Sequence, residues 1–200
     1  MNAATPSTDT YHHGNLRRAL IDEAGHVLES DGAEAITFRG LARSLGVSHA
    51  APGHHFADRN ELLAELAADG YRGLADVLEE AMEGQPPATW LQRTGEAYVR
   101  FGLTHPERYR MMFGSQLMSG DCPERLDQEG TRAYLLLLKA AYEGEATGDP
   151  DAYRIGTAEL AAWSIVHGAV MLWLDGQLGV RLTEEEFHGL VKTMLAERLG

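Results

Sequence analysis

The 200-residue sequence is poor in several features that define other classes of protein. It has one cysteine, Cys122, which excludes an intrachain disulfide and a zinc ribbon built on paired thiols. No apolar run approaches the ~20 residues that cross a bilayer, and residues 1–9 lack the charged and apolar regions of a signal peptide. We therefore expect a cytoplasmic protein that does not associate with membranes.

Basic residues are also scarce, since 17 Lys and Arg stand against 30 Asp and Glu, for a net charge of −13. This balance argues against a protein that coats nucleic acid by bulk attraction, because affinity for phosphate is built from Lys and Arg. One stretch differs. Residues 36–60 contain Arg39, Arg43 and Arg59 against Asp58 alone, and they also hold three histidines. Any contact with DNA is predicted there.

Signatures of catalysis are missing from the sequence. It shows no nucleophile elbow, phosphate loop, metal motif or cofactor fingerprint, so we predict no catalytic residue, no metal site and no cofactor. An enzyme that uses His167 or paired carboxylates as acid and base is the rival class. The adjacent histidines at 54–55 do not suggest a metal site, because neighbouring side chains point to different faces of a helix.

The apolar residues recur at spacings of three and four, and no alternating run marks a strand, so we predict an all-α fold of about nine helices. Helix starts are predicted after Thr37, Asp58, Thr89 and Thr183, whose side chains suit the N-cap position. Pro150 suits the first position of a further helix.

Three short elements near the N-terminus form a pattern of their own. A helix from Asn15 precedes a short helix capped by Thr37, and Gly46-Val47-Ser48 then forms a tight turn into a brief third helix that reaches Phe56. This order is typical of a helix-turn-helix head, in which the last helix enters the major groove of DNA.

The same segments carry a family resemblance. Residues 11–17 (YHHGNLR), 36–43 (ITFRGLAR), 45–48 (LGVS) and the stretch from His55-Phe56 to Leu62-Leu63 resemble the tetracycline-repressor (TetR) family. Further on, residues 105–114 (HPERYRMMFG) and 163–168 (WSIVHG) are similar to a C-terminal subtype named for its Trp-His-Gly motif.

The resemblance implies three regions and three partners. Residues 1–14 would be an N-terminal arm, 15–60 the DNA-binding head and 61–200 a domain for ligand binding and dimerisation. A homodimer formed through the last two helices would bind a pseudo-palindromic operator in double-stranded DNA, with half-sites ~34 Å apart. The implied function is a repressor released by a small apolar effector. The alternative is a helical dimeric interaction or ligand-binding module that has lost specific DNA binding.

The predicted DNA contacts lie in the locally basic stretch. Arg39 and Arg59 are candidates for phosphate contacts, the second because it stands at a helix start. Ser48, His49 and Ala50 open the recognition element, where base edges are read. The remaining candidates are Thr37, Gly53, His54 and His55.

Gly53 departs from the family pattern, which usually has a tyrosine three residues before the position of Phe56. The glycine removes a contact to the DNA backbone and weakens a helix by ~0.5–1 kcal/mol relative to alanine. Pro52 beside it also lacks an amide donor. We therefore predict weaker or more plastic DNA binding than is usual for the family.

The predicted ligand site is apolar and rich in methionine, a side chain that moulds to irregular shapes. Its candidate residues are Phe101, Met111, Met112, Phe113, Leu117, Met118, Trp163 and His167. Trp163 and His167 are four apart and share a helical face. Either they line a ligand pocket, or they are satisfied core residues.

Overall fold

The computed structural model describes residues 13–114, 123–143, 156–179 and 181–198. Those residues form eight α-helices and no strand, which confirms the all-α fold class. The helices are α1 (His13–Asp31), α2 (Phe38–Ser44), α3 (Arg59–Met82), α4 (Trp90–Thr104), α5 (Pro106–Met112), α6 (Glu124–Ala141), α7 (Thr157–Leu174) and α8 (Glu184–Arg198). Three short 3-10 helices occupy Ala33–Ala35, Pro52–His54 and Pro87–Thr89. The predictions made for residues 1–12, Leu117, Met118, Cys122 and Pro150 lie outside the described residues.

The chain divides into two compact units, Met1–Leu66 and Ala67–Gly200, and the division falls within α3. The boundary predicted between residues 60 and 61 lies a few residues earlier, near the start of the same helix.

Local hydrogen bonds start α2 and α3 where the sequence predicts them, whereas α1 begins at His13, so Asn15 lies inside the helix that it was predicted to cap. The Thr37 hydroxyl accepts from the amide of Gly40 at 3.1 Å and caps α2. The Asp58 carboxylate accepts from the amide of Glu61 at 2.9 Å at the start of α3. The buried apolar residues of the first unit come from its helices and from the segments between them, and include Leu20, Ala24, Leu28, Ile36, Leu41, Phe56 and Leu62.

In the second unit α4 is the central helix, and it contacts α5, α6, α7 and α8. Two glycines permit the close approach. A Cβ built on Gly102 would lie 2.5 Å from a methyl of Val170, and one built on Gly95 would lie 2.9 Å from Leu195. Because neither glycine has a side chain, α7 and α8 lie directly against the backbone of α4.

The caps in the second unit are only partly as predicted. Thr183 and Glu186 form the expected capping box, with the Glu186 amide donating to the Thr183 hydroxyl at 3.2 Å and the Thr183 amide to the Glu186 carboxylate at 2.8 Å. The Thr89 prediction was wrong in its detail. Helix α4 does begin after Thr89, but the Thr89 hydroxyl donates to the carbonyl of Pro86 and caps nothing.

Candidate functional sites: a DNA-contact segment and an apolar cavity

The turn after α2 has the geometry predicted for it. Gly46 has a φ of 68°, its amide donates to the Arg43 carbonyl at 3.3 Å, and the Val47 amide donates to the Ala42 carbonyl at 3.0 Å. These two bonds define a Schellman motif, in which the residue after the helix takes a left-handed conformation that favours glycine.

The element after this turn is not the α-helix predicted for residues 48–56. Residues 49–50 form a turn, and only Pro52–His54 are helical, as a 3-10 helix. In an α-helix capped by Ser48, the first backbone bond would run from residue 52 to the Ser48 carbonyl, and proline has no N–H to form it. The Ser48 carbonyl accepts from the amide of Ala51 instead, at 3.0 Å.

Most of the predicted DNA-contact residues are exposed. The exposed set is Thr37, Arg39, Ser48, His49, Ala50, Gly53 and His54, whereas His55 is half-buried. Pro52 and Phe56 are buried and anchor the segment at two points. The Phe56 ring packs 6.4 Å from the ring of Phe38. The guanidinium of Arg17, a residue of α1, lies 4.9 Å from the centre of the Phe56 ring.

Arg59 is placed differently from the other candidates. Its side chain is half-buried, with Nε donating to the Ile36 carbonyl at 2.9 Å and Nη2 to the Ala33 carbonyl at 2.5 Å. The guanidinium thus holds the loop that leads into α2. Sequence reasoning missed this role because the partners are backbone carbonyls more than twenty positions away.

The second unit contains a cavity of about 460 Å³ formed by residues of α3 to α7 and Phe113. Five aromatic residues line it, namely Tyr71, Tyr98, Phe113, Tyr134 and Trp163. Its aliphatic lining is Leu74, Met112, Leu126, Ala133 and Leu137. Gly130, Asp127 and Thr131 complete the wall on α6. This volume lies in the range of small-molecule sites.

The structure brings only part of the predicted ligand set to the cavity. Met112, Phe113 and Trp163 line it. Phe101 and Met111 are buried outside the lining, and the Phe101 ring packs 5.2 Å from the ring of His105. Leu117 and Met118 lie outside the described residues.

Sequence reasoning missed the contribution of α6. The signal was present in the spacing of Leu126, Gly130, Ala133 and Leu137, which puts these residues on one side of a helix. A helix has two flanks beside its buried face, however, and periodicity alone does not say which of them borders a cavity.

A polar network of two buried tyrosines and two half-buried residues closes one side of the cavity. The Tyr109 hydroxyl lies 2.7 Å from His167 Nδ1 and 3.0 Å from the Tyr98 hydroxyl, which lies 3.1 Å from the same Nδ1. The indole N–H of Trp163 donates to the Tyr98 hydroxyl at 3.2 Å. His167 is therefore a hydrogen-bonded residue behind the lining, while Trp163 both lines the cavity and joins the network.

Burial decides the protonation of this network. It raises the pKa of the Tyr98 and Tyr109 phenols, so both stay protonated at neutral pH. Burial also lowers the pKa of His167, which favours the neutral imidazole. Both hydroxyls lie within hydrogen-bond distance of Nδ1, and each can donate or accept, so Nδ1 accepts in one imidazole tautomer and donates in the other.

Phe113 and Met112 line the cavity and also contact residues outside its lining. The Phe113 ring lies 4.6 Å from His167 and 5.6 Å from Tyr71. The Tyr71 hydroxyl donates to the Met112 carbonyl at 3.0 Å. A Cβ built on Gly70 would lie 2.6 Å from the Met112 sulfur, so this side chain packs directly on the backbone of α3.

Helices α7 and α8 leave apolar residues uncovered. Leu160 and Leu172 on α7 are 51% and 49% exposed, and Leu190 on α8 is 55% exposed. Cβ atoms built on Gly168 and Gly189 would meet nothing within 4 Å. These side chains offer apolar area that another apolar surface can cover.

The described residues provide neither a membrane-spanning helix nor a cluster of metal ligands. They include no helix that is long and apolar enough to span a membrane. They also include no group of three or more His, Cys, Asp or Glu side chains placed to share a metal ion.

Sequence comparisons point to one family. Residues 91–196 match the family model described as tetracyclin repressor-like, C-terminal domain. The chain is 27% identical over 192 residues to the HTH-type transcriptional regulator Rv1816 of Mycobacterium tuberculosis, and the match covers 82% of this chain and 79% of that protein. The Trp-His-Gly subtype stays a prediction.

Solved structures share the fold. A protein of unknown function from Rhodococcus sp. RHA1 is 31% identical with a TM-score of 0.74, and the match covers 94% of this chain and 97% of that one. The regulator LfrR from Mycobacterium smegmatis, solved in complex with proflavine, is 17% identical with a TM-score of 0.59, covering 92% and 97%.

Proposed function

The chain belongs to the tetracycline-repressor family of transcriptional regulators, and we propose that it is a homodimeric repressor released from its operator by a small, mainly apolar ligand. The observation that carries the ligand-responsive part is the cavity of about 460 Å³, because five aromatic rings and five aliphatic side chains surround it. LfrR offers a precedent, since that protein was solved with a ligand in the same fold.

The DNA-binding part rests on the exposed segment of the first unit. Ser48, His49 and Ala50 would meet base edges, and Arg39 would contact a phosphate. Thr37, Gly53, His54 and His55 would lie at the edge of this contact. Arg59 acts as a positioning residue, because its guanidinium is bonded to the carbonyls of the loop before α2.

The dimer would form through α7 and α8. Helix α7 has apolar residues on every side, and such a helix is stable when it is covered all round. Its exposed Leu160 and Leu172, with Leu190 of α8, would be buried by the same helices of a second copy. The open space at Gly168 and Gly189 would let the helices approach closely.

Release would follow from a ligand that binds the two states of the dimer unequally, since a ligand with equal affinity for both shifts nothing. A molecule in the cavity would press on Met112 and Phe113. Met112 is held on Gly70 and Tyr71, so the strain would reach α3, the helix that continues into the DNA-binding unit.

A gel shift tests the DNA-binding part. The probe is the DNA that flanks the protein's own gene, and unrelated DNA of equal length is the control. We expect retention of the flanking DNA only, with Arg39→Ala weakening it and lowering the slope of log K against log salt by ~1. If an intact dimer retains neither DNA at low salt, the alternative holds, namely a ligand-binding or interaction module without specific DNA binding.

Light scattering tests the dimer. Leu172→Glu places a charge in the proposed interface, so we expect a monomer that no longer retains the operator. Tyr142→Glu is the matched control, because Tyr142 is a large exposed side chain at the C-cap of α6 and belongs to neither α7 nor α8. A Leu172→Glu variant that stays dimeric would refute this interface.

A further inference from the structure

Three polar groups of the cavity wall are already hydrogen-bonded within the protein. The Trp163 N–H is donated to Tyr98, and the Tyr71 hydroxyl to the carbonyl of Met112. The Tyr98 hydroxyl belongs to the closed network with Tyr109 and His167. The other donors of the described lining are the hydroxyls of Thr131 and Tyr134, and none of its donors carries a positive charge to meet an anion.

Acceptors, by contrast, remain available. The Asp127 carboxylate forms no ion pair among the described residues, and it stands on α6 at the exposed edge of the cavity. The Thr131 hydroxyl, one helical turn further on, can also accept. The described lining residues include no Lys, Arg or His, so no protein cation competes for this carboxylate within the cavity.

The aromatic lining favours a cationic ligand, as the Asp127 carboxylate does. Ring faces carry negative potential and attract cations, and Tyr71, Tyr98, Phe113, Tyr134 and Trp163 all border the space. The net charge of −13 adds a long-range attraction for cations and a repulsion for anions.

We propose that the cavity selects aromatic amines in their protonated form, with the ring system among the aromatic side chains and the ammonium group at Asp127. This inference rests on the proposed function in one respect, namely that the ligand of this cavity is the effector. Neutral aromatic molecules of the same size would bind more weakly, and anionic ones most weakly.

Three probes with one ring system test the order, namely 1-pyrenemethylamine, 1-pyrenemethanol and 1-pyrenecarboxylate, titrated into the full-length protein and followed by pyrene fluorescence. We expect the amine to bind about three- to fivefold more tightly than the alcohol, as suits one exposed ion pair, and the carboxylate more weakly than either. Asp127→Asn should remove the advantage of the amine and leave affinity for the alcohol unchanged. Glu124→Gln is the matched control, since Glu124 is an exposed carboxylate of α6 outside the lining, and it should change nothing.

A second variant confirms where the probes bind. Gly130 lines the cavity and a Cβ there meets nothing within 4 Å, so Gly130→Phe fills the space without a backbone clash and should abolish binding of all three probes. Equal affinities for amine and alcohol, an amine preference that survives Asp127→Asn, binding that survives Gly130→Phe, or no probe binding at all would each overturn the inference. None of these results touches retention of operator DNA, which tests the proposed function separately.

Discussion

Removing one hydroxyl from each buried tyrosine should destabilise the protein unequally. Tyr98 and Tyr109 are both 0% exposed, and both hydroxyls lie within hydrogen-bond distance of His167 Nδ1. Tyr98 alone also accepts the Trp163 N–H. The two Tyr→Phe substitutions delete the same atom from the same kind of ring, so their difference reports the network and not the packing.

The magnitudes follow from what each variant leaves without a partner. In Tyr109→Phe, Tyr98 keeps its hydrogen bond with His167 and still accepts from Trp163, so the loss is that of an ordinary net hydrogen bond, ~0.5–1.5 kcal/mol. In Tyr98→Phe, the Trp163 N–H loses its acceptor as well. A donor left without a partner costs ~1–3 kcal/mol when fully buried, and Trp163 is half-buried, so we expect a total of about 2 kcal/mol.

Urea unfolding followed by tryptophan fluorescence measures both values, at one protomer concentration because dimerisation adds to stability. In thermal unfolding, each 1 kcal/mol should appear as a fall in Tm of ~2–4 °C. Tyr142→Phe is the control, since that side chain is 45% exposed, and it should stay within ~0.5 kcal/mol of wild type. If Tyr98→Phe costs no more than Tyr109→Phe, the bond from the Trp163 N–H to Tyr98 adds nothing to stability.

Three further predictions concern other parts of the chain. Gly53→Tyr should raise operator affinity at matched salt, because residue 53 is exposed and a Cβ there meets nothing within 4 Å; unchanged or weaker binding in a gel shift would contradict this. Arg59→Ala should lower the free energy of unfolding, measured in urea, by ~1–3 kcal/mol, because two carbonyls lose a charged donor. Arg43→Ala, at an exposed site, is the control and should cost under ~0.5 kcal/mol. Equal losses would be inconsistent with the loop-holding role of Arg59. Burial lowers the pKa of His167, so the unfolded chain takes up a proton that the native state resists, and Tm should fall as pH drops below ~6.5. His167→Gln should flatten that dependence, and a slope equal to that of wild type would assign it to other groups.

The residues of the candidate sites could be predicted where the signal is local in the sequence, and not where it depends on contacts between distant segments. Met112, Phe113 and Trp163 were predicted and line the cavity, because an aromatic and methionine-rich stretch is a compositional signal. Tyr71, Tyr98 and the α6 residues were not, since their place in the lining depends on how five segments pack. His167 could not be assigned to lining or network until the two tyrosine hydroxyls were located beside it.

The sequence by itself determined the all-α class and the helix starts at Thr37, Asp58 and Thr183, because a cap is a bond between residues three positions apart and needs no other part of the chain. It also determined the turn at Gly46, where a left-handed conformation favours glycine. Tertiary structure decided the rest. Arg59 turns inward because the Ala33 and Ile36 carbonyls, distant in sequence, lie within reach of its guanidinium. The cavity and its buried network exist because packed helices leave a gap that no local pattern encodes.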